Sequence, residues 1–474
     1  MAIYSIINLR NIHVSQCIRT LIVFAGILAM SSCATYHPLA IDQHAIDSAL
    51  KPPDLETVRV EAQHIVHPVL KPMTINLNDG LSPDEAAILA VLTNPGLKGI
   101  RDQKHIANAE IISAGILPNP QLSASVDVPT GSNSAGAVNA YGLQLGWDFM
   151  SLIGRKDRIS AAQSEKAAVD LSVAWEEWQV AESAKLHLLH MLWEDKELSL
   201  LTRKKDEFSK NRAAMRTAVD QGQKTAVDLA ASESAFRQME QTISDVKQQR
   251  EQERLALNQT LGLPPGTLIA IEEETPMEQW PVIPGNEDFF SGLPKRRPDL
   301  LALTMGYNSQ EAKLRVAVLS QFPKIGIGLN LARDTGNLKT TGLGVNLEFP
   351  LFDRAQGPIA IETATRRKLY DEYMARIFDA RADITAIKEK IESGRERIGI
   401  TRKSLESLQH LVHIYKIALD QGNADRLTYY QAQQDLIAKQ LELIQLQMTV
   451  TDLGVAFETA TGIYFPIERD QNHR

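Results

Sequence analysis

A series of short landmarks recurs along this chain at a nearly constant spacing, and that duplication limits the fold more than any other feature. Asn94-Pro95-Gly96-Leu97 returns 203 residues later as Arg297-Pro298-Asp299-Leu300. Leu117-Pro118-Asn119-Pro120-Gln121-Leu122 pairs with Gln321-Phe322-Pro323-Lys324-Ile325 at the same spacing. Asp148-Phe149 with Glu348-Phe349, Gln221-Gly222 with Gln421-Gly422 and Leu261-Gly262 with Thr461-Gly462 all fall 200 residues apart. One three-residue shift between strands accounts for the whole difference. The chain therefore reads as two similar halves, 81–264 and 293–463. A Pro-rich connector separates them at 265–292, a proline-punctuated leader at 33–80 reads as extended, and 464–474 is a polar tail.

Each half has one grammar. A helix of moderate length opens it, 96–116 in the first half and 298–320 in the second, with a proline near its start. Two strands follow, within 120–149 and 324–350. Leu122, Ala124, Val126 and Val128 alternate with Gln121, Ser123, Ser125 and Asp127, and Tyr141, Leu143, Leu145, Trp147 and Phe149 alternate with Gly142, Gln144, Gly146 and Asp148. The second half repeats this with Ile325, Ile327, Leu329 and Leu331, then Leu343, Val345, Leu347 and Phe349. Period-two alternation gives each strand one apolar face and one small or polar face. Such a face meets either another sheet in a soluble sandwich or lipid in a membrane barrel.

After each strand pair the sequence runs almost without Gly or Pro, over 155–220 and 359–420. At 1.5 Å per residue a run of that length makes a rod of about 100 Å, which points to a coiled coil. A glycine (Gly222, Gly422) closes each rod in a polar turn, and a return helix reaches about 262 or 462. In the second return helix Leu436, Leu443, Val450 and Phe457 recur every seven residues, with Leu446 and Leu453 between them, a heptad seam that seeks a neighbouring helix. The predicted fold class is mainly α with a small β part: long antiparallel coiled-coil hairpins plus four strands per chain.

The N-terminus fixes the compartment. Arg10 and Arg19 precede the apolar run Leu21–Met30 and then Ser31-Ser32-Cys33, so 1–32 reads as a signal peptide. The run is shorter than the roughly 18 residues of a spanning helix. Its small residues ending in cysteine resemble a bacterial lipoprotein cleavage box, which implies that Cys33 becomes the acylated first residue. Ala34 after it favours the outer membrane. The only other cysteine, Cys17, falls in the removed segment, so the mature chain has no internal disulfide. An exported chain favours lipid over a sandwich for the strands. Four strands cannot close a barrel, and an open edge in hydrocarbon leaves backbone groups unpaired at several kcal/mol each. Several copies must then pool their strands.

The net charge of −8 argues against nucleic acid. No phosphate-binding glycine loop, zinc-protease motif or nucleophile elbow is present, so the chain reads as no enzyme with no cofactor. His187 and His190, like His410 and His413, stand three apart on a helix, but without a third ligand they read as packing or surface residues rather than a metal site. Trp175, Trp178 and Trp193 read as packing residues.

The Asn94-Pro95 helix, the Ile116–Leu122 run into a strand, Arg296-Arg297-Pro298-Asp299-Leu300 and the strand exit Phe349-Pro350-Leu351-Phe352-Asp353-Arg354 together resemble the TolC-like outer-membrane efflux proteins. The resemblance covers 80–463. It implies a homotrimer whose pooled strands form a 12-stranded β-barrel in the outer membrane of a Gram-negative bacterium, above an α-helical tunnel through the periplasm. It implies a passive exit duct for small molecules or ions in a tripartite efflux pump. Its partners would be a periplasmic adaptor and an inner-membrane pump of the RND type. In this family a gate, often acidic, lies just beyond the turn glycines. Gly222 with Asp228 and Gly422 with Asp425 and Arg426 are the matching gate or adaptor-contact positions. The second half has no acid at the place of Asp228, where Leu427-Thr428-Tyr429-Tyr430-Gln431 stands. The alternative reading is a periplasmic coiled-coil lipoprotein acting as an adaptor or structural module.

Overall fold

The computed structural model describes residues 35–466, apart from 77, 131–135, 273–274, 276–289, 291 and 424–425. The chain divides into two units, residues 1–51 and 52–474. In the first, the regular element among the described residues is helix α1 (Gln43–Ala49), begun by Asp42, whose carboxylate accepts from the Ala45 N–H at 2.8 Å. The second unit opens with α2 (Leu55–Ala62), capped by Asp54 through the Glu56 N–H and the Thr57 hydroxyl. The leader is thus not extended throughout, as its prolines suggested. Pro38, Pro52 and Pro68 bound two segments instead of interrupting them, and an aspartate stands at the start of each to satisfy the first free N–H groups.

In the first half α3 (Pro83–Thr93) precedes α4 (Pro95–Gly115), β1 (Gln121–Asp127), β2 (Ala140–Asp148), α5 (Arg155–Asp220) and α6 (Ala226–Thr260). The second half holds the single turn α7 (Leu293–Arg296), then α8 (Pro298–Leu319), β3 (Lys324–Arg333), β4 (Lys339–Glu348), α9 (Gln356–Asp420) and α10 (Arg426–Thr461). Helix α3 starts in a capping box, Ser82 Oγ accepting from the Glu85 N–H while Glu85 Oε2 accepts from the Ser82 N–H. Nearly every residue of α3 is buried, packed between α5 and the segments around it.

The halves superpose in chemistry as well as in order. At the start of α4 the Asn94 side chain donates to the Thr260 carbonyl at the end of α6 (2.8 Å). At the matching place before α8, Arg297 donates to the Ala460 carbonyl at the end of α10 (2.9 Å). Each return helix then ends in a left-handed glycine, Gly262 (φ 64°) and Gly462 (φ 65°). A Cβ at Gly262 would stand 2.8 Å from the Thr93 carbonyl oxygen, so only glycine lets the two chain segments meet.

The rods pair as antiparallel hairpins, α5 with α6 and α9 with α10, and α8 and α10 lie against α5 to join the halves. In the second hairpin Ile384, Ile391 and Ile398, seven apart on α9, share a buried cluster with Leu446, Val450 and Phe457 of α10. The heptad seam read from the sequence is therefore a packed seam, and Gly394 gives Val450 room. In the first half Trp178, Ala181, Leu188 and Leu192 of α5 form a core with Ile88 of α3 and Leu257 of α6. Further along, Leu201, Phe208 and Met215 meet Phe236 and Met239 of α6 and Tyr429 and Tyr430 of α10.

Candidate functional site

The four strands form one antiparallel sheet in the order β1-β2-β3-β4, with β2 pairing β3 across the two halves. The register sorts the rows through the middle of the sheet. Ala124, Leu143 and Leu331 stand side by side, as do Leu122, Leu145, Leu329 and Leu343, and Trp147, Ile327 and Val345. The adjacent rows are Ser123-Gln144-Asn330-Gly342 and Gln121-Gly146-Gly328-Gly344. One face of the sheet is therefore apolar through its middle rows, giving way to Thr341 and then to Arg333 and Lys339 at the β3–β4 loop end, and the other is small and polar, as membrane strands around water require.

The apolar face has no cover in a single copy. Leu122 is 70 % exposed, Leu343 82 % and Val345 67 %. No described strand pairs with the outer side of β1 or of β4, so both edges are open. No described helix is long and apolar enough to cross a membrane, a statement that leaves the strands untouched.

The far ends of the rods carry matching turns. Helix α5 ends with Gly222 (φ 71°), the Gln223 N–H donating to the Ala218 carbonyl and the Gly222 N–H to Val219. Helix α9 ends identically with Gly422 (φ 75°), Asn423 donating to Ala418 and Gly422 to Leu419. These paired bonds satisfy the last free carbonyls of each rod and require the left-handed residue. Asp228 sits in the first turn of α6, where its Oδ2 accepts from the Thr225 N–H (3.0 Å) and hydroxyl (2.8 Å) in a second capping box. Arg426 is the first residue of α10, while Asp425 and Cys33 lie outside the described residues.

Between the rods runs a polar network that the periodicity of α5 did not announce. His187 Nδ1 lies 2.6 Å from Glu253 of α6. His190 Nε2 lies 2.8 Å from Asp452 of α10, and its Nδ1 3.3 Å from Glu253. Burial works against a charged His190, but the bonds to Asp452 and Glu253 outweigh it and push its pKa up to about 10. The same histidines hold Glu253 down at about 2. His190 is thus an imidazolium clamping both hairpins together. Among the described residues no group of three or more His, Cys, Asp or Glu side chains is arranged to hold a metal ion. Trp178 and Trp193 are wholly buried, and Trp175 stacks against the Arg297 guanidinium at 4.9 Å. Arg297, only 3 % exposed, also grips Asp299, which Arg376 of α9 holds from the other side.

Comparison with known proteins agrees with this architecture. The profile of the outer membrane efflux proteins matches residues 291–462, the second half. Over both halves the chain is similar to the cobalt-zinc-cadmium resistance protein CzcC of Cupriavidus metallidurans, at 20 % identity over 81 % of this chain and 89 % of that one. It is likewise similar to the outer membrane efflux protein BepC of Brucella suis, at 19 % identity over 80 % of this chain and 84 % of BepC. Among solved structures, CusC shares the fold with a TM-score of 0.70 at 16 % identity, covering 84 % of this chain and 98 % of CusC. The second half therefore matches the outer membrane efflux protein family, and the chain as a whole, its first half a structural copy of the second, is similar to outer-membrane efflux channels and shares their fold.

Proposed function

We propose that three copies of this chain join β1 of one to β4 of the next and so close a single 12-stranded barrel, with the rods continuing it as a periplasmic tunnel. The observation that carries this reading is the sheet itself: one in-register apolar face, one polar face and two open edges. Hydrocarbon tolerates such a sheet only when every edge is paired, and barrels of this kind begin at about eight strands. Closure places the glycines, Gln144 and Asn330 around water and the leucines in lipid. The wall then conducts small molecules or ions passively, and the energy comes from an inner-membrane pump, of the RND type, reached through a periplasmic adaptor.

The turns at Gly222 and Gly422, with Asp228, Asp425 and Arg426 beside them, form the inner mouth and its adaptor contact. Acylation of Cys33 ties the leader to the outer membrane. Two experiments test the whole. Single cysteines placed along β1 should cross-link to a cysteine at Thr341 of β4 in ladders that end at three copies. A folded monomer, soluble without detergent, would overturn the reading. Metabolic fatty-acid labelling should disappear in Cys33→Ser, and unchanged labelling would remove the anchor alone.

A further inference from the structure

A cluster of charged groups lies in the deepest core of the first half, away from the barrel and from the turns. Lys185 of α5 is 1 % exposed, and its ammonium donates to both oxygens of Glu458 on α10 (2.9 and 3.0 Å) and to the Phe465 carbonyl (3.2 Å). Asp84 of α3 stands 3.2 Å from the same nitrogen, and the Tyr464 ring packs over it at 4.9 Å. Three N–H bonds thus face four acceptors. One turn earlier on α5, Glu182 is 4 % exposed, and neither of its carboxyl oxygens meets a donor. The groups facing it are Glu458 of α10, Asp84 of α3, Lys185 of its own helix and the Tyr464 phenol of the C-terminal segment, which is hydrogen-bonded to Asp84. Glu85, also on α3, is engaged with the N–H groups of Asn76 and Ser82.

Three carboxyl groups around one ammonium leave two negative charges uncompensated if all are ionised, on side chains buried away from the surface. The carboxyl without any donor is the one for which ionisation is least favourable. We propose that Glu182 is kept as the neutral acid at neutral pH, and that its proton is the catch holding the C-terminal segment against the rods. The segment's seat depends on Lys185: the ammonium binds the Phe465 carbonyl, and Glu458 accepts from the Phe465 N–H (3.3 Å). An ionised Glu182 would compete for that ammonium and release residues 463–466. Burial, the Glu458 charge and the Asp84 charge all push the Glu182 acid well above the usual carboxylate range, with Lys185 opposing them.

The sign follows from linkage. An acid held protonated in the fold contributes no penalty below its unfolded pKa, and stability falls as pH rises towards its folded pKa. Glu182→Gln keeps the shape and removes the titration. In full-length trimer in detergent, the infrared difference between wild type and Glu182→Gln at neutral pH should contain the C=O stretch of a protonated carboxyl. Amide exchange at residues 463–466, corrected for its intrinsic rate, should accelerate about tenfold or more in the wild type as pH rises from neutral through the point where the Glu182 carboxyl band is lost, and stay flat in the variant. Absence of the carboxyl band, or the same pH response in both proteins, overturns the proposal. If the variant does not accumulate, the wild-type spectrum decides: because burial lifts Glu458 to about 7 as well, a protonated-carboxyl band must persist at a pH where Glu458 has ionised and be lost only above it, and its absence there overturns the proposal.

Discussion

Leu143 and Gln144 are neighbours in the middle of β2, and they put the lipid assignment to a quantitative test. Leu143 stands between Ala124 and Leu331 on the apolar face, while Gln144 stands between Ser123 and Asn330 on the polar one. Lysine at a lipid-facing position costs about 2–4 kcal/mol near the bilayer midplane and ~0–1 kcal/mol near the interfaces. Leu143→Lys at mid-strand should therefore lower the assembled fraction about 30- to 1,000-fold per copy. Three copies place the substitution in one ring three times, for about 6–12 kcal/mol in all. Gln144→Lys adds the same charge one residue away, where it meets water, and should assemble close to normally. The assay is the amount of heat-modifiable trimer recovered from outer-membrane fractions, with both variants expressed alike. Equal assembly of the two, or greater damage from Gln144→Lys, would refute the assignment of the faces.

Two glycines of α9 and its turn should respond to alanine with opposite signs. Gly422 has φ 75° with nothing near its missing Cβ, so Gly422→Ala should cost about 1 kcal/mol from backbone conformation alone. Gly399, mid-helix with equally open surroundings, should gain about 0.5–1 kcal/mol in Gly399→Ala, both read from local amide exchange. His190 has a folded pKa raised to about 10. Its stabilisation is full below the unfolded value and disappears as pH climbs through the folded one. The thermal midpoint of His190→Gln should thus lie furthest below wild type near about pH 6 and converge with it above about pH 10. A gap that is constant with pH would contradict the ion-pair reading.

Much of this architecture is legible in the sequence because it follows strong periodic rules. Helix α5 spans the residues its Gly- and Pro-free run indicated, and both turn glycines fall where the rods end. Helix α9 begins three residues early, at Gln356, because Gly357 and Pro358 fit within a first turn, where a proline sacrifices no internal hydrogen bond. Helix α3 escapes sequence reading since, after Asp84 and Glu85 in its first turn, its apolar residues run round all sides and leave no stripe for a period to reveal. Glu182 and Lys185 escape for the opposite reason. Two charges three residues apart on a long helix look like a solvated face, and only their spacing among Trp178, Ala181, Leu188 and Leu192 places them on the buried side. Alternation marks the two faces of the strands, and the export signal is what favours lipid over a second sheet for the apolar one. The Asp228 carboxylate, by contrast, proves to be engaged in starting its own helix, a role that a turn-proximal acid does not advertise.

The β2–β3 seam has a consequence for how such a wall is built. A chain carrying a single repeat would bring two strands, so the same ring would need six separate polypeptides and six encounters between strangers. Covalent fusion turns alternate joints into intramolecular ones, where the linked partner is present at a high effective concentration and needs no diffusion to arrive. Half the joints are then made within a chain, and the two repeats can carry different residues at one shared structural task, as Asn94 and Arg297 do.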